Sequence, residues 1–422
     1  MKPFSDVVVV GGGPCGSFSA LKLAKLGADV NVFEEHSEIG VPSHCAGHLS
    51  IKGLKLLGLY PLPAGIVENT FYGAVFHSPK GKRFSVRFSS PVTCVVNRVL
   101  FDRYIAGIAE DAGAHYLFNS RVTSLIIENG WVKGVVVRHN AKTEKRFPTK
   151  IVIDAEGISS RILRQTGLST LNRHMLVNAV QAEVENVKDL ETDIVEVFLG
   201  KDYAPGFYAW LIPKLDGRAK VGLATKTGNP KEFLQRLMFK HPAASKKLRA
   251  AKICKISFHP ITLGGPIPKS YSNGFLAVGD TASQVKPSTG GGVIFGMTCA
   301  DIAAKIVHEA LQRNDLSSQF LSAYQKRCSE TLGFDVNVML RIRKTIDAMS
   351  DDKIDDAIAF CTKLGLDKVI DKVEDIDFQG RSLLRILRNP KMLVALLYFL
   401  ALHLPATLKS TNKLKETLKR HV

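Results

Sequence analysis

The sequence has no C-x-x-C pair and no cysteine–histidine spacing of the finger type. Its seven cysteines, Cys15, Cys45, Cys94, Cys254, Cys299, Cys328 and Cys361, are scattered along the chain. That excludes a structural zinc or iron–sulfur site and a disulfide framework, leaves no expected metal, and suits a reducing cytoplasm. Acids are also scarce, 39 Asp and Glu against 57 Lys and Arg, for a formal charge of +18. Such a surplus attracts anions: nucleic acid, membrane lipid or phosphorylated substrates. Nucleic acid is set aside because neither aromatic–basic interleaving nor a helix-turn-helix pattern occurs. There is no internal repeat and no low-complexity tract, and the apolar stretch after MKPFSD is too short for a signal peptide. Nothing directs export.

What is present begins with DVVVV, GGGPCG, SFSALKLAKLG and DVNVFEE over residues 6 to 36, a strand, glycine turn, helix and strand. A helix headed by RVLFDRYIA and several strands follow to residue 154. VEVFLG, FYAWLIP and AKVGLA then suggest a meander turning at Asp216-Gly217. A long helix starts near Gly291, and the chain is helical beyond about residue 317. At 422 residues, 45% hydrophobic, two or three compact units are expected.

Gly11-Gly12-Gly13-Pro14-Cys15-Gly16 satisfies G-x-G-x-x-G between strand and helix. Gly11 permits the tight turn, Gly13 lets backbone approach a pyrophosphate, and Gly16 lets the helix lie close on the strand. Glu34, closing the second strand, is placed to accept both hydroxyls of an unphosphorylated adenosine ribose. In GFLAVGDTASQVKPSTGGGVIFG a strand ends at Asp280, which can hold ribityl hydroxyls, and the amides of Gly290, Gly291, Gly292 and Val293 open a helix toward an anion. Two helix starts for one dinucleotide imply FAD. Only one G-x-G-x-x-G occurs, so any NAD(P)H must dock without a fold of its own.

The strand–Asp–loop–glycine pattern resembles flavoproteins of the p-hydroxybenzoate hydroxylase type. Arg98 matches their pyrophosphate-reaching arginine, and IDAEGISSR (153 to 161) matches their Asp-Gly motif with Glu156 where Asp is usual. The fold class expected is α/β: a Rossmann-like FAD-binding domain (1–60, 97–168 and 270–316), a β-sheet substrate domain (61–96 and 169–269) and a helical C-terminal region (317–422).

PGFYAWLIP (205 to 213) places Tyr208, Trp210 and Ile212 on one strand face and Phe207, Ala209 and Leu211 on the other. By pattern alone such a stripe reads as core. Pro205, Tyr208, Trp210 and Pro213, however, match the P-x-x-Y-x-W-x-F-P signature of geranylgeranyl reductases, with Ile212 for Phe. Together with CAG at 45 to 47, the chain resembles that family over roughly residues 5 to 310. The resemblance implies reduction of polyprenyl double bonds, on an archaeal lipid precursor such as digeranylgeranylglyceryl phosphate or on geranylgeranyl diphosphate. It places Cys45, Ala46 and Gly47 beside the flavin, and Val122 completes the expected cofactor contacts with Cys15, which stands for the family's common Ala. Electrons would come from NAD(P)H or a reduced ferredoxin, the latter an electron-donor protein.

An isolated alkene has no carbonyl to polarise, so its reduction needs a hydride, a proton and shelter for developing positive charge. Tyr208 and Trp210 are expected to give the shelter. Cys45 is one expected proton donor, with an inert buried thiol as the alternative; His44 and His48 flank it, and Tyr208 is a further candidate donor. Other readings on the same residues are an aromatic monooxygenase or halogenase and a non-enzymatic prenyl carrier. Intact Glu34, Arg98 and Asp280 speak against the carrier.

Arg381, Arg385 and Arg388 share a helical face ahead of an apolar run, Met392 to Leu404, broken only by His403. About 20 Å of helix cannot cross a core of about 30 Å. With basic residues on both flanks it reads either as an anchor on anionic lipid at the inner membrane face or as a core helix with a solvated tail.

Overall fold

A computed structural model describes residues 4–140, 143–370 and 375–403. The basic stretch after residue 403, half of the expected anchor, lies outside the described residues. The chain forms two compact units: residues up to Ser43 with Asn97–Leu176 and Thr262–Val336, and His44–Val96 with Val177–Ile261 and the described residues from Asn337 on. Residues 44–60, read from sequence with the nucleotide domain, cluster with the second unit. So do the described C-terminal residues from Asn337 on, whereas the first part of helix Ser318–Ala348 clusters with the first unit.

The first unit is built on parallel strands. Ser5–Val10 lies between Thr143–Asp154 and Val30–Phe33, with His115–Leu117 beyond the latter and Phe275–Ala277 beyond the former. Val7 to Val10 are buried throughout, as a β-branched run covered on both faces must be. Ser120–Glu128 and Trp131–His139 extend Thr143–Asp154 as an antiparallel flap. Gly11 N donates to Phe33 O at 2.8 Å and Ala155 N to Val10 O at 2.9 Å. Three strand ends therefore meet at the glycine loop. Helix Pro14–Lys25 follows at once, with Pro at its start and Lys22 and Lys25 in its last turn, both favourable for a helix of that polarity.

In the second unit a sheet runs Lys252–Thr262, Leu176–Glu185, Ala219–Thr225, Ala209–Pro213, Ile194–Phe198, Gly73–His77, Arg83–Arg87. The expected meander is its centre: Ile194–Phe198, Ala209–Pro213 and Ala219–Thr225 are antiparallel neighbours. A smaller sheet orders His48–Ser50, Thr93–Val96 and Val67–Phe71. One face of the large sheet is closed by Leu234, Leu237, Met238, Ala244 and Leu248 from two short helices. At its edge, Phe84 and Val86 join Ile354, Ile358 and Phe360 of helix Asp351–Leu364 and Met392, Ala395 and Tyr398 of helix Pro390–His403. The Phe360 and Tyr398 rings stack at 3.9 Å.

Beneath that sheet lies a buried polar knot. His77 Nε2 is 2.8 Å from Glu196 Oε2, Lys247 donates to Glu196 Oε1 at 2.8 Å, and the His77 ring stacks on Phe198 at 4.8 Å. His241 Nδ1 accepts from Ala243 and Ala244 N at 3.2 Å each, and its Nε2 faces Ser78 O at 3.2 Å. Burial, with neighbouring His77, lowers His241 to about 4 from the ordinary 6.5. The folded state thus favours the neutral ring. Its stability contribution, on the order of 3 kcal/mol at most, is complete above about pH 6.5 and lost as pH falls through about 4. Urea unfolding between pH 7 and 4 is expected to show a falling midpoint, and His241→Asn, which keeps the acceptor without a titrating ring, should flatten that slope; an unchanged slope would contradict the assignment.

Candidate functional site

Local geometry accounts for Gly11, Gly13 and Gly16 of the first loop. Gly11 has φ of +94°, a region open to glycine at little cost, and a methyl there would lie 2.6 Å from Ala155 O. A methyl on Gly16 would lie 2.0 Å from Gly11 O, so helix Pro14–Lys25 can sit this close to the loop only without one. On Gly13 it would meet nothing within 4 Å. That opening is where backbone can approach a diphosphate at the positive end of the helix. Glu34 is buried and fixed: Gly12 N donates to Oε2 at 2.8 Å, His36 N to Oε1 at 3.0 Å, and His36 Nδ1 lies 2.6 Å from Oε1. Oε2 keeps acceptor capacity for a ribose. His36, directly after Glu34-Glu35, went unread in the sequence.

The second helix start is assembled with the first. Asp280 Oδ1 would be 2.7 Å from a methyl on Gly292, which precedes helix Val293–Arg313. Gly291 gives similar room to the Lys286 side chain. Burial raises the Asp280 carboxyl above its usual range, and Arg98 opposes the rise. Arg98 itself, at the head of helix Arg98–Asp111, makes a two-point contact with Asp102 at 3.0 and 2.9 Å. Cys15 completes this group. Its sulfur fits where methyls on Gly279 and Gly296 would stand, and burial followed by the charge of Asp280 pushes the thiol up. Val122 has its side chain in the core of this unit with Val8, Val10 and Val137. Glu156 accepts from Ser159 Oγ at 2.7 Å and from Ile162 N at 2.6 Å, so its extra length caps the helix Arg161–Gln165. An open diphosphate approach, two helix starts and a buried acid at each fit a dinucleotide that also carries a ribityl chain.

The remaining residues meet within the second unit. Ala209 and Leu211 enter the core under the short helices, whereas Ile212 joins Phe71, Val95 and Val195, with Trp210, Ala46 and Ala74 against them. The alternation read from sequence holds for residues 209 to 212; Phe207 and Tyr208 lie before the strand Ala209–Pro213 and stack on one another instead of facing apart. Trp210 stands directly across from Gly222, where a methyl would lie 2.6 Å from the indole Cζ2. Tyr208 meets Trp210 edge-on at 6.0 Å and stacks on Phe207 at 4.3 Å. Burial pushes the Tyr208 hydroxyl well above its usual range, so it keeps its proton. Trp210 Nε1 and, one strand beyond Gly222, Gln181 Oε1 are buried without hydrogen-bond partners among the described residues. Cys45 is exposed, and Gly47, with φ of +72°, turns its N–H to Cys45 Sγ at 3.4 Å. Val96 N secures Gly47 O at 2.8 Å. His48 is tied to Thr93 Oγ1 at 2.7 Å, while His44 stacks on His259 at 5.4 Å.

Sequence reasoning missed Gly222, although a glycine inside a strand marks a close approach. Gly222→Ala would bring a methyl against both the indole and Val180 O, each at 2.6 Å. A loss of about 1–3 kcal/mol in urea unfolding is expected, with an altered near-ultraviolet circular dichroism band. An unperturbed band would show that the indole does not lie on this glycine.

Residues 5–332 match the FAD binding domain family. Digeranylgeranylglycerophospholipid reductases are similar over most of the chain. That of Methanothermobacter thermautotrophicus is 35% identical over 83% of this chain and 90% of its own; that of Methanosarcina acetivorans is 31% identical over 92% and 93%. Among solved structures, a geranylgeranyl bacteriochlorophyll reductase-like protein from Thermoplasma acidophilum superposes with a TM-score of 0.83, at 27% identity over 94% of this chain and 99% of that one. A flavin-dependent brominase, at TM-score 0.68 and 17% identity over 99% of each chain, shares the fold. The chain belongs to the digeranylgeranylglycerophospholipid reductases, FAD-dependent oxidoreductases of the geranylgeranyl reductase type.

Proposed function

We propose that the chain saturates double bonds of geranylgeranyl chains on lipid precursors with an anionic head group, digeranylgeranylglyceryl phosphate or geranylgeranyl diphosphate. The observation that carries this reading is the apolar cluster of the second unit, in which Trp210 and Ile212 share a surface with Ala46 of the cysteine loop. Bound reduced flavin would supply the hydride, and Glu34, Arg98, Asp280 and the amides of Gly291, Gly292 and Val293 are the groups that would hold it. Trp210 and Tyr208 keep water from the hydrocarbon and face the developing positive charge, worth roughly 0.5–2 kcal/mol each. The Cys45 sulfhydryl gives its proton to the neighbouring alkene carbon and regains one from solvent, which its exposure permits. One hydride and one proton thus add across one C=C bond. Electrons arrive from NAD(P)H or a reduced ferredoxin.

Dithionite-reduced holoprotein mixed with digeranylgeranylglyceryl phosphate under argon is expected to recover the oxidised flavin spectrum, while the lipid gains the mass of two hydrogens per bond. Trp210→Ala should keep its yellow colour and slow this step by roughly 2- to 30-fold; Asp280→Ala should lose the colour. No mass gain with any prenyl lipid, or turnover only with oxygen, would overturn the reading and favour the monooxygenase or halogenase alternative.

Membrane association at the inner face of the cell membrane belongs to the same proposal. Helix Pro390–His403 buries Met392, Ala395 and Tyr398 and leaves Leu393, Leu396 and Leu397 exposed. Leu384 is exposed as well, and Arg381, Arg385, Arg388 and Lys391 stand open nearby. Among the described residues no helix is long and apolar enough to cross a membrane. Exposed leucines bordered by cations suit the surface of an anionic bilayer. Sedimentation with vesicles rich in phosphatidylglycerol is expected, weakened by salt and by Leu393→Gln with Leu397→Gln. Equal sedimentation of that double variant would place the contact elsewhere.

A further inference from the structure

Lys220 carries a charge where burial is costly. Its side chain is 9% exposed, and the strand bearing it pairs residue 220 with Ile212 and residue 222 with Trp210. The ammonium donates to Ala46 O at 3.1 Å and to Val96 O at 3.3 Å. Its charge is met by Glu68 Oε2 at 2.6 Å. Glu68 Oε1 in turn lies 3.1 Å from Lys214 Nζ. Burial alone would raise the Glu68 carboxyl, but Lys220 and Lys214 outweigh it and hold the group below its usual range.

A buried ion pair is weak evidence for stability, because apolar residues of like size often serve as well. The informative feature is which groups the ammonium grips. Ala46 is the middle of the Cys-Ala-Gly turn. Val96 is the residue whose N–H holds Gly47 O, and Gly47 N faces the Cys45 sulfur. One ammonium therefore fastens the turn through Ala46 and through the strand that holds Gly47, and it does so from the strand next to the aromatic one. We propose that Lys220, charge-matched by Glu68, is a positioning residue that locks the Cys45 turn to the strand Ala219–Thr225, the neighbour of the strand bearing Trp210. The catalytic consequence rests on the reading of Cys45 as proton donor given above. Misplacement of a reacting group by about 1 Å is enough to cost on the order of 100-fold.

The test uses the flavin-loaded full chain with Lys220→Met and Glu68→Gln combined, so that neither charge is left alone in the interior. Hydrogen–deuterium exchange is expected to quicken at least tenfold for amides of residues 45 to 48, with no change in strand Ala219–Thr225 and none in flavin content. Turnover of digeranylgeranylglyceryl phosphate should fall tenfold or more in kcat with KM within about twofold. Unchanged exchange at residues 45 to 48 overturns the clamp, and quicker exchange with unchanged kcat overturns its catalytic role. If the wild-type protein reduces no prenyl lipid, the functional reading fails by itself, and the exchange rates still decide whether Lys220 holds the turn. Lys220→Met alone, expected to be less stable than the double variant while sharing its local exchange, separates charge burial from positioning.

Discussion

Neighbouring side chains leave a β-strand on opposite sides, and the strand Ala209–Pro213 uses that constraint to give one face to a core and the other to the proposed substrate site. Ala209 and Leu211 are fully buried beneath the short helices, which fixes the backbone. Trp210 and Ile212 then have no choice of direction. Gly222 gives the indole its floor and Lys220, two residues earlier on that neighbouring strand, reaches the Cys-Ala-Gly turn. An aromatic wall for a hydrocarbon chain has to be rigid, because dispersion and ring–cation attraction both fall away steeply with distance. The sheet provides this rigidity without any dedicated element.

The cofactor-binding unit follows a different logic, in which backbone rather than side chains is presented. Parallel strands bring their ends to the glycine loop, and two helices begin beside buried acids. The departures from the family pattern have local causes. Cys15 in place of alanine is accommodated because Gly279 and Gly296 lack the carbons that would meet its sulfur. Glu156 in place of aspartate uses its added methylene to reach the amides of the following helix. Neither alters a charge facing the loop, consistent with the intact set of Glu34, Arg98 and Asp280.

Much of this was legible in the sequence because the relevant relations are local. The glycine loop, Glu34 and the Asp280 turn each declare themselves within one strand–turn–helix, and strand alternation at Tyr208, Trp210 and Ile212 needs only a period of two. What stayed hidden depends on register between distant segments. Lys220 and Glu68 belong to no sequence motif, and only strand register places them 2.6 Å apart beside Ala46. His36 is unremarkable until its ring meets Glu34. In the C-terminal helix periodicity failed for a physical reason: a helix apolar on all sides carries no moment to say which side is covered. Met392, Ala395 and Tyr398 are buried and Leu393, Leu396 and Leu397 exposed, so only one side of the helix is covered.

The central claim is that prenyl chains lie against the Trp210 face of the second unit's sheet. Trp131, the other tryptophan, is in the flap of the first unit with the Lys133 ammonium 5.0 Å over its ring, so Trp131→Phe leaves Trp210 as the sole indole. In that flavin-loaded protein, digeranylgeranylglyceryl phosphate is expected to change the tryptophan emission saturably, over the same concentrations that support turnover, while glycerol phosphate alone leaves it unchanged. Reduction of the lipid with no change in Trp210 emission would contradict the claim.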